Sequence, residues 1–415
     1  MNLALKTQNH YWLMLLILIA SMLAPDAMAE FFKDSTGRLE LRNHALNRDF
    51  RQTGAPQSKA DEWAQGFTLR LESGFTEGNI GVGLDALAEL GLKLDSSGER
   101  RGTGLLPYGA SQEPADSYSE WGLTAKVRAS KSQFKYGTLQ PILPVVTYND
   151  TRLLGSTFQG GWLTSQELDG MTLNIGRLTQ ANLRDSSNRE DMGYGKARSD
   201  AFDFAGGTYA FSPDLSVSYY YGKLTEVYRQ QFLGLLHRQP LPGGFALRSD
   251  LRFFNSRGDG VERAGSIDNR NLSGMFTLSR GAHKVTATYQ QLSGGSAFPF
   301  LNGGDPYVVN LVTYNTFTRA EEDSWQLRYD YDFAALGVPG LTFMSRYTDG
   351  RHVKAGAVSN GREWERDTDI AYVIQSGPLK NLSLRWRNLT FRSGNGLSTA
   401  IDENRLIVGY TLALW

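Results

Sequence analysis

In several segments of this chain, arginine occupies the polar positions of a pattern in which polar and apolar residues alternate. Arg385 and Arg387 flank Trp386, so both guanidinium groups project to the same side of an extended strand. A guanidinium group is always charged, and its planar fork of donors binds a carboxylate through two hydrogen bonds. Arginines that share a face could therefore pass an anion from one to the next, if each binds it well but releases it readily. The arginines that lie on the face opposite their apolar neighbours are Arg42, Arg70, Arg128, Arg328, Arg346, Arg385, Arg387 and Arg405.

Strands with two different faces are needed to position these arginines. Between residues 325 and 347, apolar residues alternate with polar and charged ones on both sides of a turn at 337–340. The apolar positions are Trp325, Leu327, Tyr329, Tyr331, Phe333, Leu341, Phe343 and Tyr347. Alternation with period two indicates a strand with one apolar and one polar face. A soluble sandwich would bury the apolar face, whereas a membrane barrel turns it to lipid and directs the charged face to a wet lumen.

The same alternation predicts one domain of about eighteen strands, an even number that is typical of bacterial barrels. The predicted strand centres are Leu39, Leu69, Val82, Leu123, Phe134, Trp162, Leu173, Phe204, Val217, Phe232, Leu251, Leu272, Val285, Leu327, Phe343, Tyr372, Leu384 and Val408. Short turns are predicted at 73–74, 130–131, 169–170, 212–214, 240–244, 280–281, 337–340 and 376–378. Long polar connections are predicted at 92–118, 138–157, 179–199, 293–323 and 349–366. Tight and long connections that alternate are the pattern of short periplasmic turns and long extracellular loops.

The N-terminus predicts export. Lys6 precedes an apolar run at 12–20, and Ala27 and Ala29 form a small-residue cleavage site. We expect residues 1–29 to be a signal peptide and residues 30–415 to be the barrel domain. The alternative, a short membrane anchor, is disfavoured because the apolar run is far below the roughly 20 residues that span a bilayer.

Composition narrows the class of protein further. The chain has 415 residues, 45 of them glycine, and is 12% aromatic and 21% charged. That polarity argues against a helical membrane protein, and the aromatic share suits the girdles of a barrel. Cysteine is absent and the net charge is zero, so we expect no disulfide framework, no thiolate metal site and no nucleic-acid partner.

Several ordered blocks along the mature chain carry a resemblance to a known family. They lie at 41–43 with 47–49, at 65–67 with 72–75, and at 91–95, 132–141, 328–347, 375–378 and 405–408. These blocks resemble OprD-type outer-membrane porins, which are substrate-specific channels for small carboxylates. The resemblance implies an all-β transmembrane antiparallel barrel of eighteen strands, monomeric or weakly trimeric, in the outer membrane of a Gram-negative bacterium. It implies contact with membrane lipid and lipopolysaccharide, and passive uptake of small anionic solutes along a basic track, with no cofactor.

Residues 149–154 resemble the inward-folded third loop of that family, which narrows the pore. Arg152 would then place its charged fork at the constriction, and Asp150 would oppose it. Thr151 matches the hydroxyl residue beside the arginine in the family. The alternative interpretation is that Asp150 and Arg152 only tie the loop to the wall.

Two further residues are candidates for contact with a solute. Tyr194, between two glycines, resembles a residue of the fourth loop near the constriction, although an ordinary loop aromatic is the simpler interpretation. Asp330 has inward parity and could contact an amine on the solute. The arginines also have an alternative role, because they could pair with Glu40, Glu72, Asp330 and Asp369 and simply satisfy a polar wall. Ala371 supplies no cation, so the track is expected to be interrupted there.

Two other functions remain open at this point. A general, weakly selective porin would use the arginines only for structure. A barrel-embedded enzyme would need a nucleophile and a base on neighbouring strands, but the four histidines of the mature chain are scattered and no nucleophile motif stands out. We therefore expect a channel and no enzyme.

Overall fold

A computed structural model of the protein describes residues 31–52, 54–394 and 396–415. The expected signal peptide, residues 1–29, lies outside the described residues. In chain order, the first strands are β1 (Thr36–Phe50), β2 (Lys59–Glu72), β3 (Ile80–Asp95), β4 (Ser117–Ala129), β5 (Ser132–Leu139), β6 (Ile142–Leu143), β7 (Val146–Thr147), β8 (Thr157–Ser165), β9 (Met171–Asn182), β10 (Arg189–Tyr194) and β11 (Ala197–Ser199). The remaining strands are β12 (Phe202–Ser212), β13 (Leu215–Leu224), β14 (Tyr228–Leu241), β15 (Phe245–Gly258), β16 (Asp268–Arg280), β17 (His283–Ser293), β18 (Asp323–Asp332), β19 (Leu341–Ala355), β20 (Val358–Val373), β21 (Ser383–Ser393) and β22 (Ile401–Ala413). Two short 3₁₀ turns, Pro242–Gly244 and Phe333–Leu336, complete the elements.

Eighteen of these strands form the wall of a closed antiparallel barrel. Each wall strand pairs with its neighbours in sequence, and β22 closes the barrel by pairing with β1. The short strands β6, β7, β10 and β11 belong to connections and lie outside the wall set. Each of the eighteen predicted strand centres falls inside a different wall strand, so the predicted fold is confirmed.

Among the described residues, no helix is long and apolar enough to cross a membrane.

The connections follow the predicted alternation except in one place. The predicted short turns all lie at one end of the barrel, and residues 96–116, 140–156, 183–201 and 294–322 form long connections at the other. The long connection predicted at 349–366 is wrong. There β19 and β20 continue as a paired hairpin that turns at residues 356–357. Its polar residues suit a hairpin that extends beyond the apolar band, because Arg351 and Arg362 on its outer face are exposed, while Glu363 on its inner face is buried.

Two long connections fold into the barrel instead of away from it. Residues 140–156, the predicted third loop, enter the lumen, and residues 294–322 enter it as well. An apolar core therefore forms inside the barrel, between these loops and the inner wall. It includes Leu143, Val145, Phe158, Phe202, Phe254, Phe298 and Leu301. The core fixes the loops that narrow the lumen.

The C-terminal aromatic residue lies outside the alternation of the last strand. The lipid-facing residues of β22 are even-numbered, and Trp415 is one position out of phase. Because β22 ends at Ala413, Trp415 lies beyond the strand, and its side chain need not follow the alternation of the strand. Its ring nitrogen donates to Ser35 Oγ over 3.0 Å, and its ring covers Gly37, where a Cβ would come within 2.8 Å. The offset thus reflects a packing contact between the C-terminal residue and the start of β1.

Gly137 allows the wall to lead into the constriction loop. It is paired with Gly160 across β5 and β8, the strands that precede and follow residues 140–156. Gly137 has φ of +143°, and a Cβ there would collide with the carbonyl oxygen of Leu123 on β4. Only glycine fits this position without displacing backbone.

We expect Gly137→Ala to lower the free energy of unfolding by about 2 kcal/mol or more, because it combines an unfavourable φ with a backbone collision. Urea titration of the purified barrel in detergent, followed by tryptophan fluorescence, measures this. The matched control is Gly109→Ala, since a Cβ at Gly109 meets no atom within 4 Å. Equal stability of the two variants would show that β5 tolerates a side chain at this point.

Candidate functional site at the pore constriction

Arg42 of β1 ties the constriction loop to the wall. Its Nη1 and Nη2 donate to the two carboxylate oxygens of Asp150, over 2.6 and 3.2 Å. The same Nη1 also donates to the carbonyl oxygen of Arg152 over 2.8 Å. Asp150 remains partly exposed and borders the lumenal cavities on both sides of the loop. The Arg42–Asp150 pair therefore places opposite charges at the narrow point.

Arg152 does not project into the lumen, which corrects the expectation that its guanidinium grips solutes. The residue is only 8% exposed. Its Nε donates to the carbonyl oxygen of Thr103 over 3.0 Å, and its Nη1 donates to that of Thr151 over 2.9 Å. Burial, together with the nearby cations Arg405 and Arg184, lowers the pKa of Arg152 well below its usual range. Arg152 therefore joins residues 140–156 to residues 96–116, which is a structural role but not the tie to the wall that the sequence left open; Asp150 makes that tie, through Arg42.

Asn149 connects three loops at the constriction. Its Nδ2 donates to Asp305 Oδ1 over 2.7 Å, and its Oδ1 accepts from Arg184 Nη1 over 2.8 Å. The same oxygen accepts from the backbone nitrogen of Thr151 over 3.1 Å and from its hydroxyl over 2.7 Å. Asp305 belongs to residues 294–322 and Arg184 to residues 183–201. The side chain of Asn149 therefore couples the constriction loop to both neighbours, and Thr151 serves the same cluster.

The loop at 294–322 covers two of the predicted arginines. The carbonyl oxygen of Thr313 accepts from Arg405 Nη2 over 3.0 Å, and its hydroxyl accepts from Arg346 Nη2 over 3.0 Å. Arg405 is 2% exposed and Arg346 is mostly buried. Both residues face inward as predicted, but they hold the loop instead of lining open lumen. Sequence analysis placed this segment among the external connections, although its apolar residues, such as Phe298, Leu301 and Val308, were a signal that it packs inside the barrel.

Four other predicted arginines keep exposed guanidinium groups in the lumen or at the constriction. Arg385 is the most open, with 48% of its side chain exposed. The strand pairing also places arginines of neighbouring strands together, because Arg328 lies opposite Arg346 and Arg387 lies opposite Arg405. The exposed members are Arg42, Arg328, Arg385 and Arg387.

Carboxylates partly neutralise these arginines. Arg328 donates to both oxygens of Asp330, over 2.8 and 2.6 Å. Asp369 of β20 lies 2.6 Å from Arg387 Nη2 and 3.4 Å from Arg385 Nε. The predicted pairing of Asp330 and Asp369 with arginines is therefore present. Arg385 has the longer contact, so its donors are the least engaged.

Strand β20 carries a row of acids of which sequence analysis recognised only Asp369. Glu363, Glu365, Asp367 and Asp369 occupy successive inward positions, and all four are buried. Their period of two is visible in the sequence, but two of them, Glu363 and Glu365, fell inside the wrongly predicted connection 349–366. Their negative charges offset the positive charges of the arginines on the adjacent strands. Their oxygens also accept hydrogen bonds from the backbone of residues 294–322. Across the ranges 31–52, 54–394 and 396–415, no group of three or more acids and histidines is placed to hold a metal ion.

Two lumenal cavities meet at Arg385. One, of about 310 Å³, lies beside the constriction and is lined by Arg42, Arg70, Asp150 and Arg385 among others. The second, of about 330 Å³, is lined by Lys284, Arg328, Asp330, Arg385 and Arg387 among others. Ala371 lies directly opposite Arg385 in the sheet, so the position without a cation faces the most exposed arginine.

Two predicted candidates lie away from these cavities. Tyr194 is half-buried and packs edge-to-face on Tyr228, with ring centroids 5.9 Å apart. Arg128 is exposed near the short-turn end of β4, with its guanidinium carbon 4.5 Å from the centre of the Phe75 ring. Neither residue lines the cavities that contain Arg385.

Comparison with known proteins gives consistent matches. The family model described as outer membrane porin, OprD family, matches residues 29–414. The porin-like protein GalP of Pseudomonas putida is 38% identical over 416 residues, which cover 99% of this chain and 100% of GalP. The crystal structure of Pseudomonas aeruginosa OccK9 (OpdG) matches with a TM-score of 0.90 and 46% identity, covering 92% of this chain and 100% of that chain. Pseudomonas aeruginosa OpdK, solved with vanillate, matches with a TM-score of 0.88 and 39% identity, covering 93% of this chain and 100% of that chain.

We expect Asn149→Ala to loosen the constriction, because it removes the side-chain bonds to Asp305, Arg184 and Thr151. The loss should weaken docking of the loops by about 2 kcal/mol. Single-channel recording should then show a larger and noisier conductance than in the wild type. Asn188→Ala is the matched control, since Asn188 is exposed in residues 183–201 and bonds there through its backbone. Equal traces for both variants would exclude a role for Asn149 in holding the loops.

Asp305 makes docking of the loops dependent on pH. Burial raises the pKa of Asp305 to about 6, while Arg184 and Arg152 oppose the shift. A raised pKa means that the docked state is most stable when the carboxyl is protonated and loses that stability as the pH rises through about 6. We expect fewer conductance fluctuations at about pH 5 than at about pH 7.5. Asp305→Asn should lose this difference, and an unchanged pH dependence in that variant would assign the effect to another group.

Proposed function

This chain belongs to the OprD family of outer-membrane porins, and from that premise we propose that it takes up small carboxylates passively. The protein is located in the outer membrane of a Gram-negative bacterium. Relatives with this barrel are named as porins, which indicates a channel rather than an enzyme. The solute class and the residues that select it are inferences from the lumen.

Exposure of Arg385 between the two cavities carries the proposal. Its side chain is half-exposed, and its contact with Asp369 is 3.4 Å long, beyond the usual range for a strong hydrogen bond. The guanidinium therefore keeps donors free for a passing carboxylate. Arg387 lies two residues away on the same inward face, about 7 Å along the strand. A carboxylate released by one guanidinium is within reach of the next.

Partial pairing with acids suits transport rather than tight binding. Asp330 and Asp369 already occupy some donors of Arg328 and Arg387. A solute carboxylate must compete with these acids, so each site attracts the anion and releases it again. Asp330 could in addition contact an amine if the solute carries one.

At the constriction, opposite charges would orient the solute. Arg42 and Arg70 line the wall of the first cavity, and Asp150 and Glu40 lie beside them. An anion is drawn to the arginine side and repelled by the loop carboxylate. The carboxylate end of the solute would therefore follow the wall, while its neutral part passes the loop.

A relative with a bound carboxylate supports the solute class. OpdK, 39% identical to this chain, was solved with vanillate. Vanillate is an aromatic carboxylate of the size that the two cavities admit. The general porin remains the second candidate, because the paired arginines would equally satisfy a polar wall.

Replacing Arg385 and Arg387 together with glutamine separates the two functions. We expect benzoate flux to fall by at least roughly tenfold while the flux of a neutral sugar is unchanged, since the loss of even one charge-assisted contact, about 1.5 kcal/mol, corresponds to that factor. Flux into proteoliposomes measures both solutes. The matched control replaces Arg362 and Arg366 with glutamine, because these lie on the outer side of neighbouring β20.

An equal loss of sugar and benzoate flux in the Arg385 and Arg387 variant would contradict the selective channel. Loss of benzoate flux in the outer-face control would also contradict it, because the effect would then follow net charge alone.

A further inference from the structure

The outer face of the barrel carries a continuous row of charged side chains that the channel function does not use. The row crosses six neighbouring wall strands from β9 to β16, and each member lies directly opposite the next in the sheet. In order, its members are Arg177, Asp203, Lys223, Arg229, Arg257 and Asp268. Each has the parity of exposed apolar residues on its own strand, such as Ile175, Tyr219, Leu233, Phe253 and Leu272.

Three cations stand side by side at the centre of this row. Lys223 is opposite Arg229, and Arg229 is opposite Arg257. Like charges that face each other directly across strands destabilise a sheet. The flanking members are relieved, because Lys223 lies 3.4 Å from Asp259 and Arg257 is paired with Asp268. Arg229 is exposed and makes no ion pair with any described residue. An anion bound over the centre would remove this repulsion.

Along the membrane normal, the row lies at the height of the lipid headgroups. On β12, eight residues separate Asp203 from Phe211, the aromatic residue at the short-turn end. Eight residues of tilted strand span roughly 20 Å of height, close to the apolar band of about 25 Å in such barrels. The row lies at the end with the long loops, so it meets the outer leaflet.

An apolar groove lies immediately below one end of the row. It has a volume of about 590 Å³ and an almost wholly apolar lining that includes Leu173, Ile175, Ala205, Gly207 and Tyr219. Ile175 and Ala205 are each two residues from the Arg177–Asp203 ion pair, whose Nε–Oδ1 distance is 2.6 Å. A charged rim above an apolar groove fits a molecule with a charged head and an acyl chain.

We propose that this surface binds lipopolysaccharide, with its lipid A phosphates over Lys223, Arg229 and Arg257 and an acyl chain in the groove. Phosphate oxygens accept strong charge-assisted hydrogen bonds from arginine and lysine. A lipid is favoured over free phosphate, because only a lipid can contact the cations with its headgroup and fill the apolar groove with an acyl chain. The surface is separate from the lumen, so the proposal does not depend on the solute that the channel carries.

The test replaces Lys223, Arg229 and Arg257 together with glutamine in the full-length protein. Native mass spectrometry of the purified barrel counts bound lipid A, and titration into nanodiscs compares lipid A with its dephosphorylated form. We expect the triple variant to retain at least roughly tenfold less lipid A than the wild type, because each cation near the headgroups attracts the anionic lipid. The control replaces Lys131, Arg280 and Lys380, three cations at the short-turn end, and should bind as the wild type does. If the triple variant does not fold, Arg229→Gln alone replaces it, because this residue has no ion pair to lose.

Three results would overturn the proposal. The first is unchanged binding of lipid A by the triple or single variant. The second is equal binding of dephosphorylated lipid A, which would leave the cations without a role. The third is inorganic phosphate binding as tightly as lipid A, which would make the row a site for free anions.

Discussion

A closed barrel offers each side chain of its wall only two surroundings, lipid or lumen, and the rest of this structure depends on that constraint. Backbone pairing from β1 round to β22 leaves no free edge, so a shift of one residue would exchange the two faces. The inward set can therefore be charged and the outward set apolar within one short strand. The outer row at Lys223, Arg229 and Arg257 departs from this rule, because it is charged at positions that share the parity of lipid-facing apolar residues.

Inside the barrel, charge balance decides which cations remain available. The acids of β20 neutralise neighbouring arginines, and residues 294–322 cover Arg346 and Arg405. Of the cations left exposed, Arg42 and Arg385 line the cavity beside the constriction, where Asn149 and Asp305 hold the loops in place. Many arginines face inward, but loop packing leaves only a few exposed, and under the proposed function these few select the solute.

The strands could be predicted from the sequence and the constriction could not. Alternation such as that from Trp325 to Phe333 is a local signal, and it located every wall strand. The role of Arg152 depends on residues 96–116, about fifty positions away, and burial of Arg405 depends on Thr313. No local pattern reports such contacts. The acids Glu363 and Glu365 had a readable period, but the polarity of their surroundings was interpreted as a loop.

Single-channel recording of the wild-type protein in a planar bilayer, with benzoate titrated on one side, tests the central claim most directly. The arginine track predicts small conductance steps that prefer anions and are blocked by benzoate in a concentration-dependent way. A neutral sugar or a basic amino acid should not reproduce that block. Large ohmic steps that are indifferent to benzoate would contradict the account, because the exposed arginines would then take no part in selecting the solute.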